Sequence, residues 1–156
     1  MAACLDRGLV EHPDREALVW GDLSLTYAEL DQRVTAAAGG LTALGIQSGD
    51  RVALSLPNVP AVVEAFLAIQ RLGAVWLGVN TNLAPPEARW MLEDTGASLF
   101  ITGPERAVAS GDVQTLTVDP GDGSGTWADL VAAGRPAPAV DVDPHAPAAI
   151  AYTSGT

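Results

Sequence analysis

An α/β fold with a doubly wound, mainly parallel sheet, flanking helices and a small N-terminal hairpin is predicted by three features of the sequence. Strand-like and helix-like segments alternate between residues 51 and 102. The strands at 52–56 and 74–79 are near-continuous apolar runs, as expected where helices cover both faces of a sheet. Such alternation implies right-handed crossovers within one sheet.

Taken in order, residues 2–11 place Leu5, Leu9 and Val10 on a short amphipathic helix that His12-Pro13-Asp14 breaks. Ala17-Leu18-Val19-Trp20 and Leu23-Ser24-Leu25-Thr26 flank Gly21-Asp22, the pattern of a hairpin with a tight turn. Thr26 is then a helix N-cap, with Glu29 three residues on to complete a capping box. Apolar residues recur at Leu30, Val34, Ala37, Ala38, Leu41 and Leu44, and Gly45 offers a left-handed stop. Arg51 to Leu56 is a strand; Pro57 to Pro60 opens a helix through Val63, Phe66, Leu67 and Ile69 that Gly73 stops. Ala74 to Val79 is the next strand, Pro85-Pro86-Glu87 opens another helix ending at Gly96, and Ser98 to Thr102 is a third strand. Beyond Gly103 the pattern weakens to a strand at 113–118 and a short capped helix at 126–133. A proline- and alanine-rich stretch leads into Ala148 to Tyr152, a buried strand whose neighbours are expected from later sequence and whose open edge invites aggregation.

Composition narrows the function. The 156 residues fit one domain, and the net charge of −11 argues against nucleic acid, which is bound by cationic side chains. All eight basic side chains are arginines, so a Walker lysine and Schiff-base chemistry are both excluded within the chain. No run approaches the roughly 18 apolar residues of a membrane helix, the start lacks a basic signal region, and Cys4 has no internal partner. A cytoplasmic protein with no transmembrane segment is expected. His12 and His145 are isolated, so no metal site is expected.

Two segments invite a chemical reading. Gly121-Asp-Gly-Ser-Gly125 lies between a strand and a helix, but its third glycine is one place early for a dinucleotide loop. Asp119 and Asp122 would repel a pyrophosphate, and no bidentate acid follows for calcium; a surface turn is expected. The other is Thr153-Ser154-Gly155-Thr156, hydroxyls and amides at a strand's carboxyl end, where open α/β sheets bind ligands. By itself such a turn is weak evidence.

The order of several segments adds to it. Ser24-Leu-Thr-Tyr-Ala-Glu-Leu30, Gly49-Asp-Arg-Val-Ala-Leu54 with Leu56-Pro-Asn58, Phe66-Leu-Ala68 running to Asn80, Glu93-Asp-Thr-Gly-Ala97 and Tyr152-Thr-Ser-Gly-Thr156 follow one another as in the AMP-forming, adenylate-forming superfamily. The chain resembles the opening portion of such an enzyme, closer to acyl-CoA synthetases than to peptide-synthetase domains, with Gly78 where a proline is usual and Ala84 in place of a capping hydroxyl. The resemblance implies carboxylate adenylation with ATP and Mg²⁺, release of pyrophosphate and acyl transfer to CoA, in a setting such as fatty acid metabolism. It assigns Thr153, Ser154, Gly155 and Thr156 to the ATP phosphates as a partial loop, with no catalytic residue within the chain. It divides the chain into a subdomain at 1–134, a connection at 135–147, and at 148–156 the first strand and phosphate loop of a missing subdomain. The isolated chain is expected to be inactive and to bind none of these cofactors tightly; the competing reading is a stand-alone, non-catalytic α/β binding module.

Overall fold

A computed structural model describes residues 5–153. The short helix α1 (Asp6–Glu11) precedes a hairpin of β1 (Glu16–Trp20) and β2 (Leu23–Thr26), paired antiparallel with Trp20 opposite Leu23 across the Gly21-Asp22 turn. Then follow α2 (Tyr27–Ala43), β3 (Arg51–Ser55), α3 (Pro60–Arg71), β4 (Val75–Gly78), α4 (Pro85–Thr95), β5 (Leu99–Thr102), a 3₁₀ helix (Pro104–Ala109), β6 (Gln114–Thr117), α5 (Thr126–Ala132) and β7 (Ala149–Ile150). The main sheet has five strands in the order β6-β5-β3-β4-β7, every neighbouring pair parallel. This is the doubly wound α/β architecture, with the chain turning left and right of β3.

The pleat sorts side chains into two cores. Val52, Leu54, Leu99 and Ile101 face α2, α3 and α5, whereas Ala53, Leu77 and Phe100 face α4 and its Met91 and Leu92. Such two-sided burial explains why β3 is apolar from Val52 to Leu54 and β5 from Leu99 to Ile101. The α2 capping box forms as its residues dictate: the Thr26 hydroxyl accepts the Glu29 N–H at 3.2 Å, and the Glu29 carboxylate accepts the Thr26 N–H at 2.8 Å. Those two contacts with Thr26, backbone first and then hydroxyl, hold the Glu29 carboxyl below its ordinary range. At α4, Ala84 supplies no side-chain cap, and Glu87 makes only the return half by accepting the Ala84 N–H at 2.8 Å.

Three expectations are corrected. The first helix starts after Leu5, which is buried at its N-cap, and buries none of its own six residues, with Val10 81% exposed; so short a helix presents too narrow a face. The helix α5 has no side-chain cap, because its N-cap is Gly125; the hydroxyl of Thr126, the first helical residue, accepts the Thr117 N–H of β6 at 2.8 Å. The strand after the proline-rich stretch is two residues, not five, and it is not buried: Ala149 is exposed and Ile150 half-buried. It pairs with β4 on one side only, and no strand among the described residues pairs with its far edge.

The departure at Gly78 has a packing cause. Trp76 and Gly78 lie on the same face of β4, and a Cβ at 78 would come within 2.5 Å of the Trp76 indole. Phe66 stands edge-on to that indole at 5.9 Å, so the ring cannot retreat freely. Gly78→Ala should therefore destabilise the domain by about 1–3 kcal/mol, the ordinary cost of overpacking. Combined with Trp76→Val, the loss should fall clearly below the sum of the two single changes in denaturant unfolding. Additive losses would show that the indole is not what excludes a side chain there.

Candidate functional site

In an open α/β sheet the ligand crevice lies beyond the carboxyl ends of the strands where the winding reverses. Here that point is between β3 and β5, the neighbours on which the chain turns outward in opposite directions. A cleft of about 530 Å³ opens there, lined by Ser55 at the end of β3, Pro57, Thr81, Gly103, Arg106 and Asp119. Its floor is tied together by the buried Thr102 hydroxyl, which donates to the Ser55 carbonyl at 3.0 Å.

Arg106 organises the rim. From the 3₁₀ helix its Nε donates to the Ser55 hydroxyl at 3.0 Å, and its terminal nitrogens reach the Thr81 carbonyl at 2.7 Å and the Leu83 carbonyl at 3.2 Å. A planar guanidinium is suited to this, since its donors leave in fixed directions. Asn80 completes the turn by accepting the Asn82 N–H at 2.9 Å. Thus one arginine joins the exits of β3, β4 and β5. A lone arginine beyond the last clear strand carries no periodic or motif signal, so the sequence alone does not mark it.

The predicted phosphate-loop residues stand elsewhere. Thr153 follows β7 at the opposite side of β4 and is exposed; Ser154, Gly155 and Thr156 lie outside the described residues. No lining residue of the β3–β5 cleft comes from 148–153. Instead Tyr152 lines a separate apolar hollow of about 420 Å³ with Leu83, Pro86, Trp90 and Met91. Its hydroxyl donates to Asp94, and that carboxylate pushes the phenol above its usual range, so the donor persists into alkaline solution.

The rival glycine-rich segment is a self-satisfied turn. Asp119 accepts the Gly121 N–H at 2.7 Å and Asp122 accepts the Ser124 N–H at 2.8 Å, so these carboxylates occupy the amides a phosphate would need. The Ser124 hydroxyl and amide hold the Asp122 carboxyl below its ordinary range, keeping it charged. Among the described residues no three His, Cys, Asp or Glu side chains are grouped to hold a metal ion. Of the tryptophans, Trp127 is buried at 1% exposure, Trp76 is half-buried, and Trp20 and Trp90 lie at the surface. No helix of the described residues is long and apolar enough to cross a membrane.

Comparison with known proteins gives the family and the fold. The family described as AMP-binding enzyme matches residues 5–156. The long-chain-fatty-acid–CoA ligase FadD13 of Mycobacterium tuberculosis is 36% identical over 141 residues, covering 86% of this chain and 28% of the ligase. Feruloyl-CoA synthase of an Amycolatopsis species is 45% identical over 95 residues, 61% of this chain and 19% of the synthase. Among solved structures, apo MatB from Rhodopseudomonas palustris superposes with a TM-score of 0.88 at 29% identity, over 99% of this chain and 33% of that one. Its ATP-bound form gives 0.84 at 30% identity. The chain spans a third or less of the length of these relatives.

Proposed function

The chain belongs to the AMP-binding enzyme family, and on that premise we propose that it forms the opening α/β portion of an AMP-forming acid–thiol ligase. The reaction would join a carboxylic acid to AMP from ATP, release pyrophosphate, and pass the acyl group to CoA. The observation that carries this reading is the parallel strand β7 running out at its carboxyl end into exposed Thr153, inside the residues 5–156 that match the family. Thr153, with Ser154, Gly155 and Thr156, would hold the β- and γ-phosphates through hydroxyls and amides. Mg²⁺ would neutralise the triphosphate, and catalysis would be mainly positioning and charge stabilisation.

Relatives named for ferulate, long-chain fatty acids and acetate all match this region. We therefore assign acid selection to parts of the enzyme outside it, with fatty acid metabolism one setting. The cytoplasm suits the lone Cys4, which stays reduced there. Alone, the chain would be inactive, because no lysine is present to meet the phosphates.

The test is a graft. Residues 1–156 replace the matching part of FadD13, and ATP–pyrophosphate exchange is followed with a long-chain fatty acid. The graft should support acid-dependent exchange, Thr153→Val within it should lower the rate at least about tenfold by removing one phosphate contact, and the isolated chain should give none. Acid-dependent exchange by the isolated chain would refute its inactivity. An active graft indifferent to Thr153→Val would refute the phosphate role, and tight binding of ATP by the isolated monomer would favour a self-sufficient binding module.

A further inference from the structure

The strand that leads into Thr153 is too short to fix its own place. It shares only two register positions with β4, Trp76 with Ala149 and Leu77 with Ile150, and neither Ala149 nor Ile150 is fully buried. Two residues of one-sided pairing contribute little, and such segments open locally at low free energy.

Contacts at either end of this strand supply what it lacks. At the entrance the Ala148 carbonyl accepts two hydrogen bonds, from the Trp76 N–H at 3.0 Å and from Gln70 Nε2 at 2.8 Å. Gln70 is 5% exposed on α3, so its amide would be costly to bury without that partner. At the exit the Tyr152 ring stands edge-on to Trp90, with centroids 5.7 Å apart, and its hydroxyl donates to Asp94. Trp90 and Asp94 are four residues apart on α4 and so present one helix face to the tyrosine. The two holds approach from opposite faces of the sheet, α3 packing on one and α4 on the other.

We infer that Gln70 at the entrance and the Trp90–Asp94 pair at the exit clamp residues 148–152, which makes Gln70 and Tyr152 positioning residues for the loop that begins at Thr153. The clamp itself stands on the contacts above; its purpose rests on the proposed phosphate role of that loop. A displacement of about 1 Å in a catalytic constellation costs on the order of a hundredfold in rate. A loop launched from two paired residues therefore needs the tethers that this chain provides.

The experiment uses the 156-residue chain labelled with 5-fluorotryptophan, whose four fluorine resonances are assigned by single tryptophan-to-phenylalanine changes. Two variants are compared with it: Gln70→Met, which keeps the volume and removes the donor, and Tyr152→Phe, which keeps the ring and removes the hydroxyl. Each should speed amide exchange at 149–153 by about tenfold, the effect of roughly one lost hydrogen bond. Exchange in β3 and β5 and the unfolding midpoint should stay unchanged. The Trp90 resonance should move in both variants, although Gln70 reaches it only through the strand, while that of Trp127 should stay fixed. If Gln70→Met leaves both the Trp90 resonance and exchange at 149–153 as they were, or loosens β3 and β5 equally, the clamp is overturned. These readouts need no nucleotide, so an intact clamp beside a graft indifferent to Thr153→Val would refute only the phosphate role.

Discussion

Replacing Trp127 by alanine should destabilise the domain by about 3–5 kcal/mol, the range for truncating a buried aromatic. Trp127 is a large, fully buried side chain at 1% exposure, and it joins α5 to the core beneath α2 and α3. It also has a polar duty. Its Nε1 donates at 3.2 Å to Glu64, whose side chain is itself 1% exposed and whose other oxygen accepts from Arg33 Nε at 2.6 Å. Alanine would leave both a cavity and a buried carboxylate short of one donor. Trp127→Phe separates the two effects, since it retains most of the volume; losing the bond to a charged acceptor alone should cost about 1.5–3 kcal/mol. Urea unfolding with an unchanged slope measures both. Because domains carry only about 5–15 kcal/mol in total, the alanine variant should show visible unfolding at modest temperature. A loss below about 1 kcal/mol would mean that α5 is not part of the cooperative core.

Arg106→Leu should be the next most damaging change, at about 2–3 kcal/mol, the scale of losing charge-assisted bonds at a half-buried site. Its effect should also be local. Freed of the guanidinium, the carbonyls of Thr81 and Leu83 and the Ser55 hydroxyl lose a shared donor, so exchange should rise at 80–84 and 103–106 before it rises in the strands. Arg106→Lys should restore little, because a single ammonium cannot meet acceptors that lie in several directions around a plane. Recovery with lysine would reduce the arginine's role to that of a simple positive charge.

The fold was legible where the sequence repeats a physical rule. The capping box at Thr26, the apolar runs of β3 and β4, and the glycines after α2, α3 and α4 each follow from local chemistry, and together they dictate a parallel sheet. Legibility failed where a residue serves a distant partner. Thr126 looked like the start of a capped helix, yet its hydroxyl bonds a strand nine positions earlier. Ala148 to Tyr152 looked like a core strand from its apolar run, but only two residues find a neighbour, and Tyr152 turns aside to α4. Arg106 and Gln70 were silent for the same reason, since their acceptors lie 23 to 78 positions away and no spacing rule connects them. Of the predicted loop, the sequence supplied four residues, and the described structure includes Thr153 alone.

The sheet order sets a sequence of events during synthesis. β6 forms one edge and β7 the other, so the chain between residues 118 and 148 must travel across the helical layer before the fifth strand can seat. On the way, the carbonyls of Arg135 and Pro136 press so near Gly39 of α2 that a methyl group there would sit 2.3 Å from an oxygen. Strands β3 to β6 thus leave the ribosome before β7, and they are expected to pair first, since domains fold from the amino end. The last strand arrives on a finished platform. A nascent chain with residues 1–130 clear of the ribosome should already hold the four-stranded sheet, with the β4 edge waiting for a visitor some seventy residues behind it.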